Sequence, residues 1–234
     1  MKANNFIEPT NRRRFIGSLA TSAAAIGIST VAPTLKVFGH ENSSGGDFSD
    51  DPEEMFKKLN GKHKIVFDVI QPHEIFPFAW PRVFLMSNEM TGTKDKECNV
   101  VVVLRHKAIE YAMEDMLWEK YKLGEFFHAN DPATGQPAIR NPFWKPKAGA
   151  FKVPGVGEVF IGIDQLQSNG VMFCVCELAV KVQSASVAQK MNLNAEVVRN
   201  DFLNGLLPNI QKVPSGVWAL GRAQERGCGY IFAG

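Results

Sequence analysis

In Asn99-Val100-Val101-Val102-Val103-Leu104, the five residues after Asn99 are an apolar run without a polar residue at alternate positions. A strand with one face in water alternates apolar and polar side chains. A strand of a parallel sheet, covered by helices on both faces, reads instead as a continuous β-branched run. This segment therefore calls for a strand of a parallel sheet with a layer on each side. Shorter runs over 64–69, 171–175, 210–213 and 230–232 have the same β-rich character. Between them lie segments with helical punctuation. Asp51 and Pro52 open a short helix to about Leu59, and Pro81 opens another that runs to Met90. Ile109, Ala112, Met113, Met116, Leu117 and Tyr121 recur at helical spacing over 109–123, with Gly124 as a stop. Further helices are expected over 158–168, 185–192, 196–205 and 215–226. Strands separated by helices predict a single-domain, three-layer α/β/α sandwich with a mostly parallel five-stranded sheet.

Residues 125–157 break this rhythm. They are rich in Pro, Gly and aromatic residues, as in Asn130-Asp131-Pro132 and Asn141-Pro142-Phe143-Trp144. They read as a long surface insertion with a functional role, because the aromatics argue against disorder.

The start of the chain has a different logic. Asn11-Arg12-Arg13-Arg14-Phe15-Ile16-Gly17 has two adjacent arginines, Arg12 and Arg13, a spacer, and then an aromatic and an aliphatic residue. This is the core of a twin-arginine export signal, an address read by a receptor. Residues 1–39 read as the signal peptide, 40–60 as a linker and short helix, and 61–234 as the α/β domain. The expected location is periplasmic or otherwise exported, with the twin-arginine export machinery as a partner. The run from Phe15 to Ala32 is studded with Ser, Thr and Gly, so no stable membrane span is expected. The whole chain carries 26 Lys and Arg against 24 Asp and Glu. Residues 1–39 hold five of the former and one of the latter, which leaves 21 against 23 in the rest. The basicity belongs to the signal, so charge gives no argument for nucleic acid as a partner.

In open parallel sheets, ligands sit beyond the carboxyl ends of the strands. The first strand delivers His73 and Glu74, the second Arg105 and His106, the third Cys176 and Glu177, and the fourth Pro214, Ser215 and Gly216. Cys176 stands out because it follows a strand and precedes a helix, where amides and a nearby Arg or His stabilise a thiolate. Glu177 works against this. Cys174, two residues earlier, is expected on the same side of the strand as Cys176. The competing readings are a buried structural pair and a metal site built from His73, His106 and Cys176. Cys98 and Cys228 lie at amino ends and read as structural, paired with each other if their strands are close.

From Gly170 onward the pattern resembles the DsrE/DsrF-like family, which includes sulfur-relay subunits. The matching residues are Gly170-Val171-x-Phe173-x-x-Cys176, Val213-Pro214-Ser215-Gly216-Val217, and Gln224-Glu225-x-Gly227-x-x-Tyr230-Ile231. Val100 to Leu104, ending in Arg105-His106, stands where that family places its second strand. The resemblance covers roughly 64–123 and 158–234. It implies a three-layer α/β fold, homo- or hetero-oligomers, and a persulfide carried on the cysteine matching Cys176. The expectation is a sulfur carrier with Cys176, His106 and Arg105 as the reactive group. His73, Cys174, Glu177, Ser215 and Gly216 would line the ligand site, and a sulfur donor or acceptor protein would be the partner. The alternative is a non-catalytic module in an oligomer, binding a metal ion or a small ligand. No other cofactor is implied.

Overall fold

A computed structural model describes residues 51–234. The export motif with Arg12 and Arg13, the signal assignment over 1–39 and the linker as far as residue 50 lie outside the described residues. The elements in chain order are α1 (Pro52–Lys57), β1 (His63–Val69), α2 (Phe76–Met90), β2 (Cys98–Leu104) and a 3-10 segment (His106–Ala112). Next come α3 (Asp115–Tyr121), α4 (Leu123–Phe127), the two-residue strands β3 (Lys152–Val153) and β4 (Gly157–Glu158), and α5 (Ile163–Ser168). The chain continues with β5 (Val171–Cys176), α6 (Glu177–Met191), α7 (Ala195–Asn204), β6 (Ile210–Val213), α8 (Gly216–Glu225) and β7 (Gly229–Phe232).

Five strands form one sheet in the order β6-β5-β2-β1-β7, and every pairing is parallel. The valine run is its central strand. Val100, Val102 and Leu104 face a large core built with α2, α5, α6 and α7. Val101 and Val103 face a smaller core under α1 and α8. Helices on both faces explain why the run has no polar alternation. The three-layer, single-domain α/β sandwich is thus the observed fold. Among the described residues no helix is long and apolar enough to cross a membrane.

Several local expectations are corrected. The helix expected from Pro81 starts at Phe76, because Pro77 fills the N-terminal position where a missing N–H costs nothing; Pro81 lies inside the helix, buried. The single helix expected over 109–123 is broken into the 3-10 segment, α3 and α4. The reason is tertiary: Met113 bridges Leu206, the Glu114 N–H donates to the Gly205 carbonyl at 2.9 Å, and the Leu207 N–H donates to Ala112 at 2.8 Å. These bonds hold Met113 in extended backbone. The helix expected over 158–168 begins only at Ile163, since β3 and β4 form a small antiparallel pair before it. The helix expected over 185–192 is the second half of α6, which starts eight residues earlier at Glu177.

The supposed surface insertion is partly core. Phe127, Ala129, Ala138, Phe143 and Phe151 are buried in the larger core. Phe143 stacks between Phe78 and Phe151, with ring centroids 4.2 and 5.1 Å away. Asn141 is buried too. Its amide donates to the Tyr111 and Met113 carbonyls at 2.9 and 3.1 Å, and its Oδ1 accepts from the Phe143 N–H at 3.1 Å. A polar side chain is tolerated there because its hydrogen bonds are made inside the protein.

All four cysteines are buried and free. Cys98 and Cys228 do not pair, because β1 lies between β2 and β7. Two strand spacings are about 10 Å, beyond the roughly 7 Å that a disulfide allows between α-carbons. Burial pushes both thiols above their ordinary value.

Candidate functional site

A cavity of about 200 Å³ opens where the carboxyl ends of β2 and β5 meet the first turns of α6 and α8. Arg105, His106, Cys176, Ser215 and Gly216 all line it, so five residues expected at the rim from three different strands do converge. Leu178, Val182 and Val217 give it an apolar mouth, with Val182 52% and Val217 69% exposed. Cys176 lies deeper, at 6% exposure.

Each side chain has a local cause for its place. Cys176 is the N-cap of α6, and its Sγ accepts from the Ala179 N–H at 3.2 Å. That donor is aimed at sulfur and would serve a sulfur atom that bears negative charge. Ser215 caps α8 and accepts from the Trp218 N–H at 3.2 Å. The Leu178 N–H donates to the Pro214 carbonyl at 3.4 Å, which ties the two helix starts together. Gly216 lies against the stem of Arg105: a Cβ there would come within 2.7 Å of both Cβ and Cδ of Arg105. Only glycine lets α8 come this close. His106 sits at the strand end with φ +53°, a left-handed conformation uncommon for a residue other than glycine.

Arg105 is held by a network that sequence reasoning missed. Its Nε and Nη2 donate to Oδ1 and Oδ2 of Asp68 at 2.7 and 2.9 Å. The Tyr230 hydroxyl, from β7, donates to Asp68 Oδ2 at 2.8 Å. Asp68 is 1% exposed. The bond to Asp68 raises Arg105 further above its ordinary value, and the bond to the same carboxylate raises Tyr230. A carboxylate within the apolar stretch Ile65–Val69 was the available signal, because a buried charge must find a partner. Nothing local in the sequence pointed to Tyr230.

Three other candidates stand apart from the cavity. His73 packs on Phe76, with ring centroids 5.2 Å apart, and beside Gly234. Glu177 turns to Arg199 on α7, 3.7 Å away, instead of facing Cys176. Cys174 is fully buried in the smaller core, so it does not share a face with Cys176. Strand alternation fails at this point because Cys176 ends β5 and the chain turns into α6. Burial pushes the Cys174 thiol far up, and the nearby Cys176 adds to this. Of the metal candidates, His106 and Cys176 line the cavity and His73 does not. Among the described residues no three His, Cys, Asp or Glu side chains are grouped to hold a metal ion. A wider depression of about 740 Å³ lies near the amino ends of β5 and β6, but its lining holds no Cys or His.

No family model matches the chain, and no curated protein matches it. A solved structure of a protein of unknown function, MTH1491 from Methanobacterium thermoautotrophicum, is similar over 73% of this chain and 99% of its own, at 15% identity and a TM-score of 0.36.

Proposed function

We propose that this chain is an exported sulfur carrier of the DsrE/DsrF-like type, which holds a sulfane sulfur on Cys176 as a persulfide. The observation that carries the reading is the convergence of Cys176, Arg105 and His106 on one small cavity. A persulfide needs a sulfur nucleophile shielded from bulk thiols, a positive group for the charge that develops, and room for one or two heavy atoms. Burial of Cys176, the Arg105 guanidinium and the size of the cavity meet these needs in turn. The thiolate is the attacking form. Export rests on the Arg12-Arg13 motif and its flanks. A carrier of this kind would take its sulfur from, or hand it to, a second molecule at the apolar mouth formed by Leu178, Val182 and Val217.

The test is intact-protein and peptide mass spectrometry after incubation with thiosulfate or polysulfide. One added sulfur on the Cys176 peptide, lost on reduction and absent in Cys176→Ser, is the expected result. An unmodified Cys176 under these conditions sinks the reading. Metal binding is the competing role for His106 and Cys176. Elemental analysis of protein purified without chelator is expected to give no stoichiometric metal.

A further inference from the structure

We infer that Asp68 and Tyr230 are positioning residues, which fix the Arg105 side chain at the cavity so that its positive charge acts on a small anionic sulfur donor lying against Cys176. The identity of the ligand rests on the carrier reading; the positioning rests on geometry alone.

A free arginine side chain has many rotamers, and ordering it costs entropy. Here it is fixed at two places. Gly216 leaves room for the stem to lie against α8, and Asp68 takes the Nε and Nη2 hydrogens in a bidentate fork. Such a fork fixes the plane as well as the place of the guanidinium. It occupies the Nε edge and leaves Nη1 on the other side, where Nη1 makes no hydrogen bond within the described residues. Asp68 is fixed in turn. It accepts from both Arg105 nitrogens and from Tyr230, a residue brought in from the far side of β1. Neither Asp68 nor Tyr230 lines the cavity, whereas Arg105 does. Their effect on a bound molecule must therefore pass through Arg105.

The cavity also suits a small molecule. At about 200 Å³ it is smaller than the ~300–1,000 Å³ of ordinary small-molecule sites, so an anion of a few heavy atoms fits. Thiosulfate has the required chemistry. The Cys176 thiolate attacks the outer sulfur, the S–S bond of thiosulfate breaks, and sulfite leaves with the bonding pair. The product is a Cys176 persulfide anion. Charge balances and no outside oxidant or reductant is needed. The positive charge of Arg105 would favour the sulfonate oxygens, whose charge is retained by the departing sulfite.

The test compares two alkylating agents of nearly equal size, iodoacetate and iodoacetamide, on the full chain at low ionic strength. Peptide mapping follows modification at Cys176. The ratio of the two rate constants cancels the thiolate fraction and reads the positive field felt by an anion in the cavity. Arg105→Ala is expected to lower the ratio about fivefold, the order expected for one partly neutralised charge at an effective dielectric of ~20. Asp68→Asn removes a negative charge, which by charge alone would raise the ratio; a positioning role lowers it, by about threefold on the same scale. Tyr230→Phe changes no charge, keeps the ring, and is expected to lower the ratio about twofold. A ratio that rises or holds in Asp68→Asn overturns the inference. So does a wild-type ratio in Tyr230→Phe, which decides the matter alone if Asp68→Asn does not fold. Sulfur loading is measured in parallel on the same proteins. Lowered ratios without a sulfur adduct sink the carrier reading and the donor assignment while leaving the positioning roles intact. Normal loading with unchanged ratios does the reverse.

Discussion

Glu110 offers the sharpest test of the fold's electrostatics. It lies in the 3-10 segment, is 0% exposed, and neither carboxyl oxygen has a hydrogen-bond partner among the described residues. Burial therefore pushes its carboxyl well above the ordinary value of 4.5, because ionising it here would strand a charge in apolar surroundings. The unfolded chain has no such penalty and ionises normally. With a folded pKa above the unfolded one, the stability held by the protonated form is fully present below about pH 4.5 and is lost as pH rises towards the folded pKa. While the folded protein keeps this proton and the unfolded chain does not, each pH unit removes about 1.4 kcal/mol. Glu110→Gln keeps the shape and abolishes the titration. The other groups are common to both proteins and cancel in the difference. From pH 5 upward the variant should gain on wild type by about 1.4 kcal/mol per pH unit until the folded acid ionises. Urea unfolding at pH 5, 6 and 7 reads this directly. At slopes of ~1–3 kcal/mol/M the midpoints should separate by roughly 0.5–1.4 M per unit. Midpoint curves that run parallel across this range would refute the argument, since Glu110 would then be ionised or partnered in the folded protein.

Two further outcomes follow from packing. Gly216→Ala places a methyl group 2.7 Å from Arg105 Cβ and Cδ, so it should cost about 1–3 kcal/mol in chemical denaturation and slow sulfur loading of Cys176 by displacing the guanidinium. Phe143→Ala empties the space between Phe78 and Phe151 and should cost about 3–5 kcal/mol; a loss below about 1 kcal/mol would mean that this segment is a surface loop after all.

The strand runs were legible because burial on both faces leaves a compositional mark that does not depend on neighbours. Val100 to Leu104 had to be covered on both sides, and the strand-end rule then placed Arg105, His106, Cys176, Ser215 and Gly216 on one rim. What could not be read is what depends on partners distant in sequence. The spacing from Ile109 to Tyr121 is helical, yet the bridge from Met113 to Leu206 breaks the helix there. Residues 125–157 read as a surface insertion, because nothing local shows that Phe143 meets Phe78 across 65 residues. Cys174 and Cys176 obey alternation only as far as the strand continues, and the turn into α6 sits on Cys176 itself. Asp68 was visible as an oddity in its strand, but its partners depend on a strand order that the sequence does not display.

That strand order has a consequence for biosynthesis. β1 is the first strand of the sheet to be made and β7 the last, yet they are neighbours. The hydrogen bond from Tyr230 to Asp68 closes a separation of 162 residues. Asp68 and Arg105 can meet while translation is still under way, but the clamp on the guanidinium waits for β7. Long-range closure of this kind is slow compared with local helix formation. A nascent chain can therefore hold Arg105 in the Asp68 fork before Tyr230 fixes that carboxylate, and the network around the cavity is complete only after β7 has been synthesised and docked.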